Sequence, residues 1–401
     1  MKYDIIIAGG GMVGSSLALA LAPLGLRVAI VEPIPRTSAA QPSFDDRSTA
    51  LSRSTQRMYE AMELWDDILE AATPVTRIHI SDQGRFGFSH IDAEEQKVEA
   101  LGYVVINRVL GSVLQSALLE VPNLEILCPA EITAARLAPD EVVATVRRAD
   151  GSGEEVAARL LVAADGARSS VRDMLGITAN HVAYEQRAIV GNLLTEKSLH
   201  NCAYERFTKN GPLAMLPIAD GRAGFVWTVA DRDAERILAL DDDSFIAELQ
   251  GAFGYRLGAL SRLGTRASYP LHLSKAIRLA ATRAVLIGNA AHGLHPVAAQ
   301  GFNLGLRDVA ALCDCIADFD LDDPELLQRY AAWRKDDQSK LVGFTDGLVR
   351  LFSSNKRAAR TLRSIGMLGF DLLPGVRSLF AKHTMGLAGR LPRLSRGVPL
   401  S

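Results

Sequence analysis

Gly9, Gly11 and Gly14 stand at the spacing G-x-G-x-x-G, and Glu32 follows about twenty residues on. Such glycines permit a tight turn (Gly9), a close backbone approach to a pyrophosphate (Gly11) and a helix packed hard on a strand (Gly14). An acid in the position of Glu32 accepts hydrogen bonds from an adenosine ribose and repels a 2′-phosphate, which favours FAD or NAD over NADP. A second cluster is Asp165-Gly166 with Ser169, Ser170 and Arg172. It closes an apolar run, where open α/β sheets bind ligands, although a helix N-cap accounts for the same residue types. In the third, residues 288–305, a strand end leads through Pro296 to Gly301 at a helix start. Amides there suit the negative charge of a reduced flavin, an interaction worth about 0.3–2 kcal/mol. His292 and His295 are candidate bases or ligands, but with no clustered third histidine no metal is expected.

These residues need a scaffold. Residues 3–8 (YDIIIA) read as a strand buried on both faces, 15–24 as an Ala/Leu helix and 27–31 as a second buried strand. Residues 33–51 read as a loop, in which Arg47 is either a surface residue or folds back over a pyrophosphate. A helix is predicted over 52–69, with Met58, Met62, Trp65 and Leu69 on one face. A hairpin follows at 77–81 and 86–90, then a helix over 107–121 and strands at 124–128, 131–137, 142–147 and 160–164. Alternating segments at 188–195, 203–207, 213–218, 224–230 and 268–273 predict an antiparallel sheet covered by helices at 233–240 and 244–253. Nucleotide-domain texture returns with a strand at 284–288 and a helix over 303–316. The expected organisation is therefore α/β. A nucleotide domain (1–74, 101–180, 281–340) carries an inserted substrate domain (75–100, 181–280) and a basic helical region (341–401). A single G-x-G-x-x-G leaves no second domain for a nicotinamide cofactor.

Over 401 residues, 48% hydrophobic and 22% charged, the composition is that of an ordinary globular protein. A strand starting at Tyr3 leaves no room for a signal peptide, and no apolar run reaches the roughly 18–20 residues that span a bilayer. Cys128, Cys202, Cys313 and Cys315 form no C-x-x-C pair, as expected of thiols in a reducing cytoplasm. The net charge of −2 conceals an asymmetry: residues 340–401 hold 11 Lys/Arg against 2 Asp/Glu, a local balance of +9 on an acidic body.

Taken together, residues 9–14 with Glu32, residues 162–172 (VAADGARSSVR) and residues 288–305 resemble the FAD-dependent aromatic hydroxylases of the p-hydroxybenzoate hydroxylase-like class. Residues 296–308 (PVAAQGFNLGLRD) are similar to a motif of the ubiquinone-biosynthesis hydroxylases. Residues 44–47 (FDDR), 205–208 (ERFT) and 211–217 (GPLAMLP), with Asn289 where Asp is usual, resemble the branch acting on 2-octaprenyl-6-methoxyphenol. The resemblance implies FAD, transient NAD(P)H as reductant, O2 and an electron-rich prenylated phenol. It implies that Gly9, Gly11, Gly14 and Glu32 hold the ADP half, that Arg47 and Arg108 flank the cofactor, and that Asp165 and Gly166 support the pyrophosphate. By the same resemblance Asn289 meets the ribityl chain, and Pro296, Gly301, Phe302 and Asn303 line the isoalloxazine. Met215, Pro217 and Trp227 are expected at the substrate. No phenol-activating base is identified. Ala299, where Gly is commoner, and Asn289 are the two departures. A flavin reductase or halogenase, or a non-catalytic part of a biosynthetic complex, remains an alternative. A bilayer-borne substrate and the basic tail imply a cytoplasmic enzyme peripheral to the inner membrane, partnered there by other ubiquinone-biosynthesis proteins and by no nucleic acid.

Overall fold

Ile5, Ile6 and Ile7 are fully buried, and this is what an apolar run of this length achieves at the centre of a parallel sheet. A computed structural model describes residues 2–35, 38, 47–84, 88–293, 300–353 and 374–400. Its central sheet orders five parallel strands as Ala284–Leu286, Gly153–Ala163, Tyr3–Ala8, Val28–Val31 and Leu124–Leu127. Strand Gly153–Ala163 serves two neighbours. Its first half pairs antiparallel with Val142–Arg148, which pairs with Ala130–Leu137, while its second half runs parallel to Tyr3–Ala8. Helices Met12–Leu21, Asn107–Leu119 and Gln300–Asp318 pack together over this sheet.

A second sheet of nine strands takes Arg77–Asp82 and Phe88–Asp92 from one stretch of chain and Ala179–Thr195, Cys202–Thr208, Gly211–Pro217, Arg222–Ala230 and Ala267–Ala276 from another. It is antiparallel except where Cys202–Thr208 meets Arg77–Asp82. Helices Asp231–Leu238 and Asp242–Phe253 cover one face and bury Leu213, Met215, Phe225, Trp227, Phe245 and Leu249. The opposite face meets the nucleotide domain, where Leu216, Ala203 and Ile218 pack with Ala50, Val75 and Val104. The two-residue strand His292–Gly293 also joins this sheet, beside Ala267–Ala276.

Two expectations are corrected. Residues 52–69 form two helices, Arg53–Ala61 and Trp65–Leu69, because Glu63 adopts a left-handed φ of 59° between them. The helical phase is lost there, and Leu69 is exposed instead of sharing the buried face of Met58. The loop assigned to 33–51 ends early: Ser48–Ser52 is a strand, paired with Gly102–Ile106 in a three-stranded sheet completed by Thr73–Val75. Its composition, Ser-Thr-Ala-Leu-Ser, offers little alternation to read.

Pro324–Ser353 is one 30-residue helix, and Pro374–Thr384 is another. The chain beyond the latter is structural. Leu394 and Leu400 join the main core, and Arg307 donates to the carbonyls of Gly386 and Ala388. Three cations of the basic tail are engaged within the fold: Arg377 faces Glu95, Arg390 lies 4.3 Å over the Trp333 ring, and Arg393 pairs with Asp318. No helix among the described residues is long and apolar enough to cross a membrane.

Candidate active site: a dinucleotide groove at the strand ends

Gly9, Asp165 and Asn289 each follow a parallel strand of the central sheet, so all three lie along the sheet's C-terminal edge. The turn at Gly9 has φ +100°, and a Cβ there would lie 2.6 Å from the Ala164 carbonyl oxygen. Gly11 is the N-cap of Met12–Leu21 and supplies no capping side chain, so amides of the first turn remain for a ligand. A Cβ on Gly14 would sit 2.0 Å from the Gly9 carbonyl oxygen, closer than any side chain can approach. Glu32 accepts from the Gly10 amide at 2.6 Å and from the Ile34 amide at 2.9 Å, which holds its carboxylate beside the glycine turn. A turn, helix start and acid in this arrangement fit the ADP half of FAD.

Asp165 is committed to its own loop. It accepts from Ser169 Oγ, from Ser170 Oγ at 3.3 Å and from the Val171 amide at 3.1 Å, while Ser169 caps Arg172. Gly166 beside it takes φ +86°. Arg172 is buried and reaches the Ala290 carbonyl at 3.2 Å, tying this loop to the turn that presents Asn289. Asn289 itself is exposed.

Beneath that turn lies a buried polar centre. Asp308, wholly inaccessible, accepts from the Gly288 amide at 2.9 Å, contacts His292 Nε2 at 2.7 Å and binds Arg334 Nε at 2.6 Å. Gln338 adds a longer bond of 3.3 Å. Burial alone would raise the Asp308 carboxyl; Arg334 and His292 outweigh it and hold it at about 2. His292 is buried with its Nδ1 unpartnered among the described residues. Asp308 thus fixes the turn of Asn289 and the helix Gln300–Asp318 to one point. The Asn303 carboxamide accepts from the Ser52 amide and Thr55 Oγ1, both at 2.8 Å, and donates to the Ala50 carbonyl at 2.9 Å. Its side chain is spent on the strand Ser48–Ser52, leaving backbone as what residue 303 can offer a ring. Phe302 is half-buried against the core, and Gly301 carries no neighbour within 4 Å of a built Cβ. Pro296, His295 and Ala299 lie outside the described residues.

A family model described as an FAD binding domain matches residues 2–345. Over 99% of this chain and 93% of the other, 38% of residues are identical to ubiquinone hydroxylase UbiL of Rhodospirillum rubrum. This chain belongs to the FAD-dependent ubiquinone hydroxylases. The 3-demethoxyubiquinol 3-hydroxylase of Escherichia coli is 30% identical over 96% of this chain and 98% of its own. The crystal structure of p-nitrophenol 4-monooxygenase PnpA from Pseudomonas putida superposes with a TM-score of 0.82 at 19% identity, over 97% of this chain and 98% of that one, and shares the fold. The chain is thus an FAD-dependent monooxygenase of the p-hydroxybenzoate hydroxylase-like fold, with NAD(P)H as reductant.

Met215, Pro217 and Trp227, expected at the substrate, share the helix-covered face of the nine-stranded sheet. Met215 and Trp227 point into the core under the two covering helices, Trp227 edge-on to Phe245 at 5.7 Å, and Pro217 has the same parity on its strand. Strand alternation separates the two faces but does not say which one looks at the flavin. The opposite face is the one turned to the strand Ser48–Ser52. On it, a Cβ at Gly224 would lie 2.7 Å from Ser48 Oγ. Arg47 reaches the same side and stacks 4.7 Å over the Tyr269 ring, bridging the two sheets. Arg108 is exposed at the start of Asn107–Leu119; the preceding Asn107 donates its amide to the Arg47 carbonyl at 2.8 Å. Sequence reasoning gave no role to Asp308, Arg334 or Gln338. A signal existed in the charged Asp308 among Leu304, Ala311 and Cys315, at the helical spacing of a buried stripe. Among the described residues no group of His, Cys, Asp or Glu is placed to hold a metal.

Proposed function

We propose that this enzyme hydroxylates the ring of a 2-polyprenyl-6-methoxyphenol during ubiquinone biosynthesis. The observation that supports this best is the 38% identity to a ubiquinone hydroxylase along nearly the whole chain. Bound FAD supplies the electrons taken from NAD(P)H and the site at which O2 is activated. The protein's part is to bind, orient and keep water out. Gly9, Gly11, Gly14 and Glu32 hold the ADP half, Asp165, Gly166, Arg47 and Arg108 stand around the pyrophosphate and cofactor flank, and Asn289 meets the ribityl chain. Pro296, Gly301, Phe302 and backbone at Asn303 line the ring system. The sheet face bearing Ala214, Leu216 and Val226 offers an apolar wall, which suits a prenylated phenol and excludes the water that would divert reduced oxygen to peroxide.

Purified enzyme with FAD, NAD(P)H and a short-chain 2-prenyl-6-methoxyphenol is expected to consume O2 only when the phenol is present and to release a ring-hydroxylated product. Reductant consumption that ignores the phenol would leave a reductase instead. The E. coli relative named for 3-hydroxylation of a demethoxyubiquinol favours a second reading, hydroxylation at another ring position. Mass spectrometry of lipids from a deletion strain separates the two by which precursor accumulates.

The substrate resides in the bilayer, so we further propose that the enzyme docks at the inner-membrane surface, where other proteins of the pathway can hand on their products. With Arg377, Arg390 and Arg393 engaged in the fold, Lys356, Arg357, Arg360 and Arg363 carry the charge argument. Each basic residue near an anionic leaflet contributes about 1 kcal/mol, screened by salt. Sedimentation with anionic vesicles is expected to fall at high salt and on changing all four to glutamate. Binding indifferent to both would make the tail a structural cap alone.

A further inference from the structure

Tyr204 pairs with Met215 and so shares the helix-covered face, whereas Glu205 pairs with Ala214 and faces the other way. Register extends that placement across the sheet. Ile80, Glu205, Ala214, Val226, Val190 and Ala267 form one continuous row on the face turned to the nucleotide domain, and Glu205 is its single ionisable member. The adjacent row contains Leu216 and Gly224, and Gly224 faces Ser48. Strand spacing sets Glu205 about 12 Å from Gly224, room for a phenol ring and the reach of a glutamate side chain. Helix Pro324–Ser353 passes over the strands of Glu205 and Ala214, and Phe380 of Pro374–Thr384 packs in the cluster that contains Ile80.

Among the described residues the Glu205 carboxylate has neither a hydrogen-bond donor nor a cation. It is half-buried. Burial alone pushes its carboxyl up to about 7. An isolated acid on an apolar wall costs stability unless it is paired or hydrogen-bonded. Among the described residues Asp82, paired with Phe207, shares the face of Glu205 one row along, while two other titratable groups nearby look elsewhere. His79 is pushed down to about 4 chiefly by burial and Tyr204 up to about 12, and both lie on the opposite face.

We propose that Glu205 is the base that takes the phenol proton when the ring is hydroxylated. The proposal rests on the phenol-hydroxylase reading above. The phenol O–H bond breaks, its proton passes to a Glu205 carboxylate oxygen, and the electron pair stays on the phenolate oxygen. That charge enriches the ring carbon that receives one oxygen atom of O2. Loss of the ring C–H proton restores aromaticity, and the phenolate oxygen regains a proton. NAD(P)H supplies the two electrons, and the second oxygen atom leaves as water. A carboxyl titrating near 7 is half ionised at neutral pH, closer to a phenol near 10 than an ordinary glutamate is.

The test uses full-length holoenzyme and a Glu205→Gln variant, with short-chain prenyl phenols whose acidity is raised stepwise by ring fluorination. Wild type is expected to hydroxylate all of them at similar rates. The variant should bind the parent phenol within about threefold of wild type and hydroxylate it about 10²–10⁴-fold more slowly. Its rate should recover as the phenol becomes acidic enough to ionise unaided. A variant as fast as wild type, or one slowed equally on every phenol, overturns the role of Glu205 while leaving the hydroxylase reading intact. Wild-type protein that binds phenols and hydroxylates none overturns both.

Discussion

Gly14→Leu protein is expected to be colourless after purification and to bind no FAD at concentrations that saturate the wild type. The reason is steric and local. Even a single Cβ at residue 14 would stand 2.0 Å from the carbonyl oxygen of Gly9, backbone that cannot swing aside as a side chain can. The helix Met12–Leu21 must then lift from the strand or the Gly9 turn must open. Either movement takes the first-turn amides away from the pyrophosphate they serve. Gly14→Ala should lose most of the affinity as well, while Gly251→Ala, where a Cβ would meet nothing within 4 Å, should retain all of it. Flavin absorbance after desalting gives the answer, and a Gly14→Leu protein that stays yellow would show the opening motif to be misread.

Asp308→Asn should cost about 3–5 kcal/mol of folding stability, a large part of the roughly 5–15 kcal/mol that a domain possesses. The substitution takes from Arg334, 1% exposed, one of the two carboxylates that compensate its buried charge and leaves only Asp337. Urea unfolding followed by circular dichroism measures the loss, and the double variant Asp308→Asn/Arg334→Met should recover part of it because the under-compensated buried cation is gone. The pH dependence has a definite sign. The folded-state carboxyl titrates at about 2, below its ordinary value of 3.8, so its contribution is complete above about pH 4 and disappears as pH falls toward 2. Asp308→Asn protein should lack that acid-dependent component. Equal urea midpoints for variant and wild type would mean the centre beneath the Asn289 turn is not a stabilising one.

Local patterning carried the sequence reading a long way. YDIIIA, the glycine spacing and Glu32 together imply one supersecondary unit, and Tyr3–Ala8, Met12–Leu21 and Val28–Val31 form it. Strands of the second sheet were legible through their alternation. What alternation withholds is orientation: Met215 and Trp227 have the residue types of a substrate wall and serve as core, because two covering helices claim that face. The strand Ser48–Ser52 escaped notice because small polar residues pair there through backbone and through Asn303, whose partners lie some 250 positions away. Asp308 was visible only as part of a motif. Its meaning depends on Arg334 and Gln338, brought to it by a separate helix.

The chain's path between its sheets has a consequence in time. Tyr3–Ala8 lacks one flanking strand until residue 163 has been made, and the turn of Asn289 lacks its anchor until Asp308. Bacterial or eukaryotic ribosomes add about 5–20 residues per second, so some 15–60 s separate the emergence of the glycine turn from completion of the groove it belongs to. Leu394 and Leu400, which close over the main core, come later still. Throughout that interval Ile5, Ile6 and Ile7 have no finished sheet to enter. A nascent chain of this protein therefore presents an unfinished sheet edge for tens of seconds and completes its groove only near the end of synthesis.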